Sequence, residues 1–346
     1  MQIDNDGDYQ LTNLLLPSFN MLYSIISTMK SAQIKTYGDS EVVEINQSAP
    51  SLNDPSEGKV LVTVKAAGVN PADWKVREGF FKQMAPIQFP ATLGMDFSGV
   101  IEKVGEDDVS SSDLKQGDEV YGQAGVLMGG SGAFAEMALA KADTIAHKPR
   151  TLDHEQAAGL PLVGVSAWQA LVETIGLTKG QKILIHGGAG GIGSIAIQLA
   201  KHLGAYVTAT VSTNDKQFVK EELGADEAID YKTQTFEDIL PHDYDAVFDT
   251  VGGETFTRSF KVLKRGGIIV SMLEQPNQGL MDQSGAKAVY QFTQVNRERL
   301  TRLAEWVDQN NIRINVERKF PLDKARTALD YQRDIHPRGK IVLLMQ

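Results

Sequence analysis

Gly188, Gly190, Gly191, Ile192 and Gly193 belong to the run Gly188-Ala-Gly190-Gly191-Ile192-Gly193, which has G-x-G-x-x-G spacing. Glycines so spaced bring backbone N–H groups against a pyrophosphate. The first permits a tight turn, the second leaves room for phosphate oxygens, and the third lets a helix pack close on a strand. The free N–H groups at the helix start then face the anion. A glycine-rich turn standing alone more often merely joins two elements. Here Lys182–Ile185 before it is apolar and β-branched, as in a buried strand, and Ile195–Leu203 after it repeats apolar residues at helical spacing. Strand, turn and helix come in the order that dinucleotide binding requires, and nucleotide binding is the favoured reading.

The next strand says which nucleotide. Ala205–Val211 reads as the second parallel strand, after a helix that ends near Gly204. A site selecting NAD would carry Asp or Glu at this strand's tip, about 20 residues after the glycines, to bind the ribose 2′-OH. This chain has Val211-Ser212-Thr213 there, with Lys216 four residues after Ser212. Lacking a carboxylate, the tip does not repel a 2′-phosphate, and a hydroxyl and an ammonium supply donors and charge for one. Asp215, the nearest acid, falls past the tip, where it would equally cap a helix over Lys216–Leu223. The alternative for Lys216 is a solvated surface lysine. NADP(H) is favoured.

The elements that hold this turn follow from the rest of the chain. At 346 residues the protein exceeds one ordinary domain. A hydrophobic share of 42% with 23% charged residues suits a globular protein, and the net charge of −10 argues against nucleic acid or an anionic membrane as partner. The chain has no cysteine, which excludes disulfides, thiolate catalysis and Cys-ligated zinc. Residues 1–28 are expected to be an extension: the segment lacks the basic region and small-residue cleavage site of a secretory signal, and Pro17, Asn20 and Ser24 interrupt its apolar run.

From Ser31 to Lys148 short strands alternate with Gly, Pro and Asp, including Lys59–Ala67, Gly99–Val104 and Glu119–Gly122; this suggests a β sandwich or partly open barrel. From about Leu160 strands and helices alternate, with strands at Ile183–Ile185, Tyr206–Val211, Ala228–Asp230, Ala246–Asp249 and Gly267–Met272. That is the texture of a doubly wound parallel sheet. The tail reads as a helix over Gln294–Gln309, a strand near Asn315–Lys319, a helix over Lys324–Asp330 and a last strand over Gly339–Met345. The expected organisation is an α/β protein. A β-rich catalytic domain over 29–155 is interrupted by a Rossmann-type NADP-binding domain over 156–290, and 291–346 return to the first.

The order of these signals resembles the medium-chain dehydrogenase/reductase superfamily from about Met29 to Gln346. The residues that carry it are Gly68-Val-Asn-Pro-Ala-Asp-Trp-Lys75, Pro90-Ala-Thr-Leu-Gly-Met-Asp-Phe-Ser-Gly-Val100, Val104-Gly105, Leu114-Lys-Gln-Gly-Asp-Glu-Val-Tyr-Gly122, Gly132-Ala-Phe-Ala-Glu136, Ala157-Ala-Gly-Leu-Pro161 and Gly164-Val-Ser-Ala-Trp168. The glycine turn, Leu223-Gly-Ala-Asp226 and Gly339-Lys-Ile-Val342 complete the set. Alcohol dehydrogenases of the superfamily hold catalytic zinc with Cys at the position of Asn70 and His at that of Met95. Asparagine and methionine do not suit zinc, so the chain resembles the zinc-free quinone oxidoreductase and alkenal/enone reductase branch, and no metal is expected.

The resemblance implies NADP as cofactor and a small-molecule quinone or enone as partner, in a cytoplasmic homodimer. It sets Ser212 and Lys216 on the 2′-phosphate, Ser166 near the nicotinamide, and Tyr231 either on the same phosphate or ribose or as a plain edge aromatic. Thr250 and Val251, in Asp249-Thr250-Val251-Gly252-Gly253, and Ser271, at the end of the next strand, fall at the sheet's carboxyl edge where cofactors bind. Asn70 or Lys75 is the expected donor to developing enolate charge, with Asn70 alternatively holding the nicotinamide ribose; Asp73 reads as a cap for a helix over Pro71–Val76. Many quinone-reductase relatives have Tyr at the position of Lys75, and Trp74-Lys75 is closer to the alkenal/enone sub-branch. His147, His154, His186, His202, His242 and His336 lack metal-ligand spacing and have no obvious Ser or Asp partner, so they read as ordinary histidines. Two alternatives remain at this stage: an NADPH-binding regulatory or structural protein without turnover, and a reductase of enoyl thioesters.

Overall fold

The structure is a computed structural model that describes residues 28–105 and 113–345. The expected N-terminal extension, apart from Thr28, lies outside them. Six parallel strands form the nucleotide-binding sheet: Lys182–His186, Tyr206–Val211, Glu227–Asp230, Tyr244–Asp249, Leu263–Ser271 and Lys287–Tyr290. Counted along the chain, they lie side by side in the order 3-2-1-4-5-6. The order reverses beside the strand that leads into the glycine turn, so a crevice opens there at the carboxyl ends. Ile183, Leu184 and Ile185 are fully buried, as a strand covered on both faces requires.

Lys287–Tyr290 has no counterpart in the sequence reading. With four residues, a lysine and an exposed tyrosine, it lacks the apolar run that marks the four inner strands. Burial of Ala288 and its pairing with Leu263–Ser271 make it a strand.

The β-rich part has two sheets. Thr28–Ile34 lies between Val43–Pro50 and Ala91–Thr92. The larger sheet runs Val316–Pro321, Lys340–Leu344, Lys59–Val69, Asp96–Val104, Glu119–Gln123 and Ile145–His147, with Met137–Lys141 also paired to Lys59–Val69. Ala32, Ile34 and Val43 from the small sheet pack with Val60, Val62, Val64, Ile101 and Phe134 in one core. The last strand, Lys340–Leu344, lies antiparallel to Lys59–Val69, so the chain returns to the β-rich part after the parallel sheet.

The two parts meet at the turn. Gly190 bridges to Gly339, and the Gly339 N–H donates to the Ala189 carbonyl at 2.9 Å. The last strand is thereby anchored beside the glycines before it reaches the β sheet. Among the described residues no helix is long and apolar enough to cross a membrane.

Candidate cofactor and substrate site

Steric crowding explains the glycines. A Cβ on Gly193 would stand 2.2 Å from the Gly187 carbonyl oxygen, and one on Gly188 would stand 2.7 Å from the Ala209 Cβ. At Gly190 the nearest protein atom to such a Cβ is 3.4 Å away, so the middle glycine borders open space. The helix that follows is Gly191–His202, one turn longer at its start than its apolar pattern suggests, and its free N–H groups open onto that space. Thr250 donates its hydroxyl to the His186 carbonyl at 2.8 Å and so holds the turn from the neighbouring strand end. Ile192 is half-buried and Val251 is exposed. This cradle of glycines before a helix N-terminus fits a pyrophosphate.

At the tip of Tyr206–Val211, Ser212 and Lys216 are half-buried, and Tyr231, 60% exposed, lies alongside. Ser212 Oγ donates to Asp215 Oδ2 at 2.6 Å, and Arg338 Nε donates to Asp215 Oδ1 at 2.7 Å. Arg338 also bonds the Asn214 carbonyl at 3.1 Å and stacks its guanidinium over Phe218. Asp215 therefore does more than cap a helix: it holds a hydroxyl and a guanidinium together. The expected helix over Lys216–Leu223 is present: a 3-10 turn, Thr213–Asp215, leads into it, and it widens to a π-helix over Phe218–Glu222. Asp230 accepts from Thr213 at 2.6 Å; that bond leads the causes that hold its carboxyl below the ordinary range, with the Lys216 charge a minor one.

Between the two parts lies a buried polar cluster. Asn70, at the end of Lys59–Val69, donates Nδ2–H to Asp96 Oδ2 at 3.0 Å. Asp96 also accepts from Gln123 Nε2 at 2.8 Å and from the Leu162 N–H at 3.0 Å. Lys340 donates to the Val69 carbonyl at 2.8 Å and to Asn70 Oδ1. Its Cδ lies 3.1 Å from where a Cβ on Gly191 would stand, so the ammonium stem borders the glycine turn. The Asn70 carboxamide is thus gripped at both ends, and one of its two N–H bonds is left to give.

Asp73 accepts the Asn70 N–H at 2.7 Å, at the start of the helix Pro71–Arg77. Its other oxygen is buried without a partner. Burial pushes the Asp73 carboxyl up to about 8, against the pull of the Asn70 N–H. Burial also raises Asp96 and lowers Lys340, each opposed by the other's charge. The balanced arrangement is a charged Asp96–Lys340 pair beside a neutral Asp73, because Asp96 collects the donors and Asp73 does not. Lys75 lies on the same helix with its ammonium 5.6 Å from the Trp74 ring centre.

On the far side of the crevice Ser166 is buried. Its hydroxyl donates to the Leu162 carbonyl at 2.7 Å and pairs with Thr293 Oγ1 at 2.7 Å. Gln291 Nε2 donates to the Ser166 carbonyl at 2.9 Å, and Gln291 Oε1 is buried with no partner. Ser271 donates to Asp249 Oδ2 at 2.7 Å and accepts from the Leu273 and Glu274 N–H groups, so its hydroxyl serves the strand ends. An orphaned buried acceptor at the carboxyl edge of the same sheet as the glycine cradle suits a dinucleotide whose second half carries an amide donor.

The structure ties Asn70 to the glycine turn through Lys340, and it sets Ser212, Lys216 and Tyr231 together at the tip of Tyr206–Val211. It adds Lys340, Arg338, Asp96 and Gln291, which sequence reasoning did not assign. Asp96 and Lys340 stood inside quoted motifs, but their partners come from distant strands, and nothing in the sequence singled out Arg338 or Gln291. The reading of the histidines as lacking Ser or Asp partners is corrected. His154 Nδ1 meets Ser98 Oγ at 2.8 Å and its Nε2 lies 3.2 Å from Glu119. His147 pairs with Asp113, and buried His186 lies between Thr210 and Ser259. These partners are far apart in sequence and meet only in the folded chain.

A family model described as "Alcohol dehydrogenase GroES-like domain" matches residues 56–150, and one described as "Zinc-binding dehydrogenase" matches 223–343. The chain is 37% identical to the 2-methylene-furan-3-one reductase of Solanum lycopersicum, covering 92% of this chain and 80% of that protein. It is 36% identical, over the same shares, to the chloroplastic NADPH-dependent alkenal/one oxidoreductase of Arabidopsis thaliana. Among solved structures, the quinone oxidoreductase from Coxiella burnetii superposes with a TM-score of 0.81 at 33% identity, covering 92% of this chain and 100% of that one. The Escherichia coli quinone oxidoreductase complexed with NADPH gives 0.79 at 28% identity, covering 91% and 99%.

Proposed function

The chain belongs to the quinone/alkenal reductase branch of the medium-chain dehydrogenase/reductase superfamily, and from that premise we propose that it is an NADPH-dependent, metal-independent oxidoreductase acting on quinones or α,β-unsaturated carbonyls. The observation that carries the reading is the glycine cradle meeting a tip that lacks a ribose-binding carboxylate and gathers Ser212, Lys216 and Arg338.

NADPH bound in the crevice supplies a hydride from C4 of its nicotinamide ring. The protein's work is to bind, orient and exclude water. The N–H groups that open the helix Gly191–His202 take the pyrophosphate. Arg338 and Lys216 take the 2′-phosphate, with Ser212 turning its hydroxyl from Asp215 to the phosphate. Thr250, Val251, Tyr231 and Ser271 shape the walls, and Ser166 backs the nicotinamide end. Asn70, fixed between Lys340 and Asp96, directs its remaining N–H toward the substrate oxygen, where charge develops as the β-carbon is reduced. Lys75 is the second donor in this reading. The zinc in one family description has no cysteine to hold it here, and Asn70, at one of the positions expected for a zinc ligand, is already committed to Asp96 and Lys340.

A homodimer in the cytoplasm completes the proposal. Lys287–Tyr290 forms an open outer edge of the six-stranded sheet, with Tyr290 and Phe292 exposed beside it, and an open strand edge is a template for pairing with a second copy. The Arabidopsis relative is named as chloroplastic.

The test is NADPH oxidation against a panel of enones, quinones and enoyl thioesters with EDTA present. Turnover of enones or quinones that EDTA leaves intact supports the proposal. Tight NADPH binding without any turnover would replace it with a regulatory role.

A further inference from the structure

We infer that Gln291 reads the carboxamide of the nicotinamide ring, its side-chain oxygen accepting one of the two amide N–H bonds. The inference rests on the proposed use of NADPH and goes beyond it, because it assigns a specificity-determining side chain at the far end of the cofactor. The sheet order sets the place. The phosphate tip lies at Ser212, over the flank formed by Tyr206–Val211 and Glu227–Asp230, and the glycine turn lies at the reversal point. The other half of a dinucleotide must extend over the carboxyl ends of Tyr244–Asp249, Leu263–Ser271 and Lys287–Tyr290. Gln291 directly follows the last of these strands, and its N–H continues the pairing by donating to the Ser271 carbonyl at 2.8 Å.

The side chain is 3% exposed and only half satisfied. Nε2 is held by the Ser166 carbonyl at 2.9 Å, which fixes which way the amide points, since the flipped form would set two acceptors against each other. That leaves Oε1 as a buried acceptor without a donor, an arrangement that native proteins rarely keep without a reason. A nicotinamide carboxamide supplies the missing N–H. Met272 holds the same nitrogen end of the amide, its sulfur 3.5 Å from Gln291 Nε2, and leaves the oxygen end to the ligand. Thr293, paired with Ser166 at 2.7 Å, keeps the Ser166 helix and the Gln291 segment in register.

Binding measured by calorimetry tests this without turnover. The ligands are NADP⁺, its 3-acetylpyridine analogue, which has a methyl ketone in place of the amide, and the 2′-phosphate of ADP-ribose, which has no ring. The wild type should prefer NADP⁺ over the analogue by about tenfold or more, as loss of one hydrogen bond to a buried acceptor implies. Gln291→Met should lose that preference while binding the ringless ligand as the wild type does, which shows an intact fold and phosphate end. Gln291→Asn, which withdraws the amide by one methylene, should lose it as well and serves if the first variant does not fold. Equal wild-type affinity for NADP⁺ and the analogue overturns the inference, as does a preference that persists in a folded variant. Failure of the wild type to bind NADP⁺ at all would instead overturn the cofactor reading.

Discussion

Lys340 reaches across 270 positions of sequence to donate to Asn70 Oδ1, while Asp96 accepts from the same carboxamide at 3.0 Å. The two charges hold one amide from opposite ends and fix which way it points. The chain's last strand, anchored to the glycine turn through Gly339, thereby ties Asn70 to that turn.

Removing one charge of this pair should cost more than removing both. Lys340→Met leaves Asp96 buried and unpaired, a loss of about 3–5 kcal/mol of stability. Adding Asp96→Asn should recover a large part of that stability but not the activity, since Asn70 is then free to turn. Thermal or urea unfolding of the single and double variants, beside their kcat values, checks both halves. A double variant less stable than Lys340→Met would contradict the pairing.

Cofactor choice should depend on Arg338 and Lys216. Each charge-assisted bond to a phosphate contributes about 1.5–3 kcal/mol, so Arg338→Ala should weaken NADPH by roughly tenfold or more and leave NADH nearly unchanged. Lys216→Ala with Ser212→Ala should act in the same direction. Ser212→Asp should shift preference toward NADH by adding repulsion. Titration of bound cofactor by fluorescence gives the ratio directly, and equal wild-type affinity for NADPH and NADH would contradict the assignment.

Asp73 makes stability depend on pH in an identifiable direction. Burial lifts its carboxyl from 3.8 to about 8, so across that window the folded protein keeps a proton that the unfolded chain releases. Stability therefore falls as pH rises from about 4 to 8 through this group. Asp73→Asn keeps an acceptor for the Asn70 N–H and cannot ionise. Its melting temperature relative to the wild type should rise between pH 5 and pH 9; a constant difference would show that Asp73 is charged throughout.

Gly193→Ala should damage the turn itself. The new Cβ would meet the Gly187 carbonyl oxygen at 2.2 Å, and backbone cannot yield as a side chain does. Overpacking of this kind costs about 1–3 kcal/mol, and it should abolish cofactor binding while the β-rich part stays folded. Calorimetry with NADPH and circular dichroism separate the two effects.

Short-range pattern made much of this legible. The apolar run Ile183–Ile185, the glycine spacing and the helical repeat that follows are local signals, and they located the turn and the crevice. Ser212 and Lys216 stand out because a missing carboxylate at a strand tip is visible in the sequence. Arg338 and Lys340 were not, because their meaning comes from partners at Asp215 and Asn70, 123 and 270 positions away. Gln291 sits in a segment without periodicity, and only its half-satisfied amide marks it. Lys287–Tyr290 escaped because an edge strand of four residues needs little apolar surface.

The most direct test of the central claim is the fate of deuterium. Incubation of the protein with NADPH stereospecifically deuterated at C4, an alkyl enone and EDTA should give the saturated ketone, and one of the two C4 epimers should place its deuterium on the β-carbon, visible by NMR and mass spectrometry. The α-carbon should take its hydrogen from water. A reduced product with no deuterium at the β-carbon from either epimer, or turnover that stops when EDTA is added, would contradict direct, metal-independent hydride transfer.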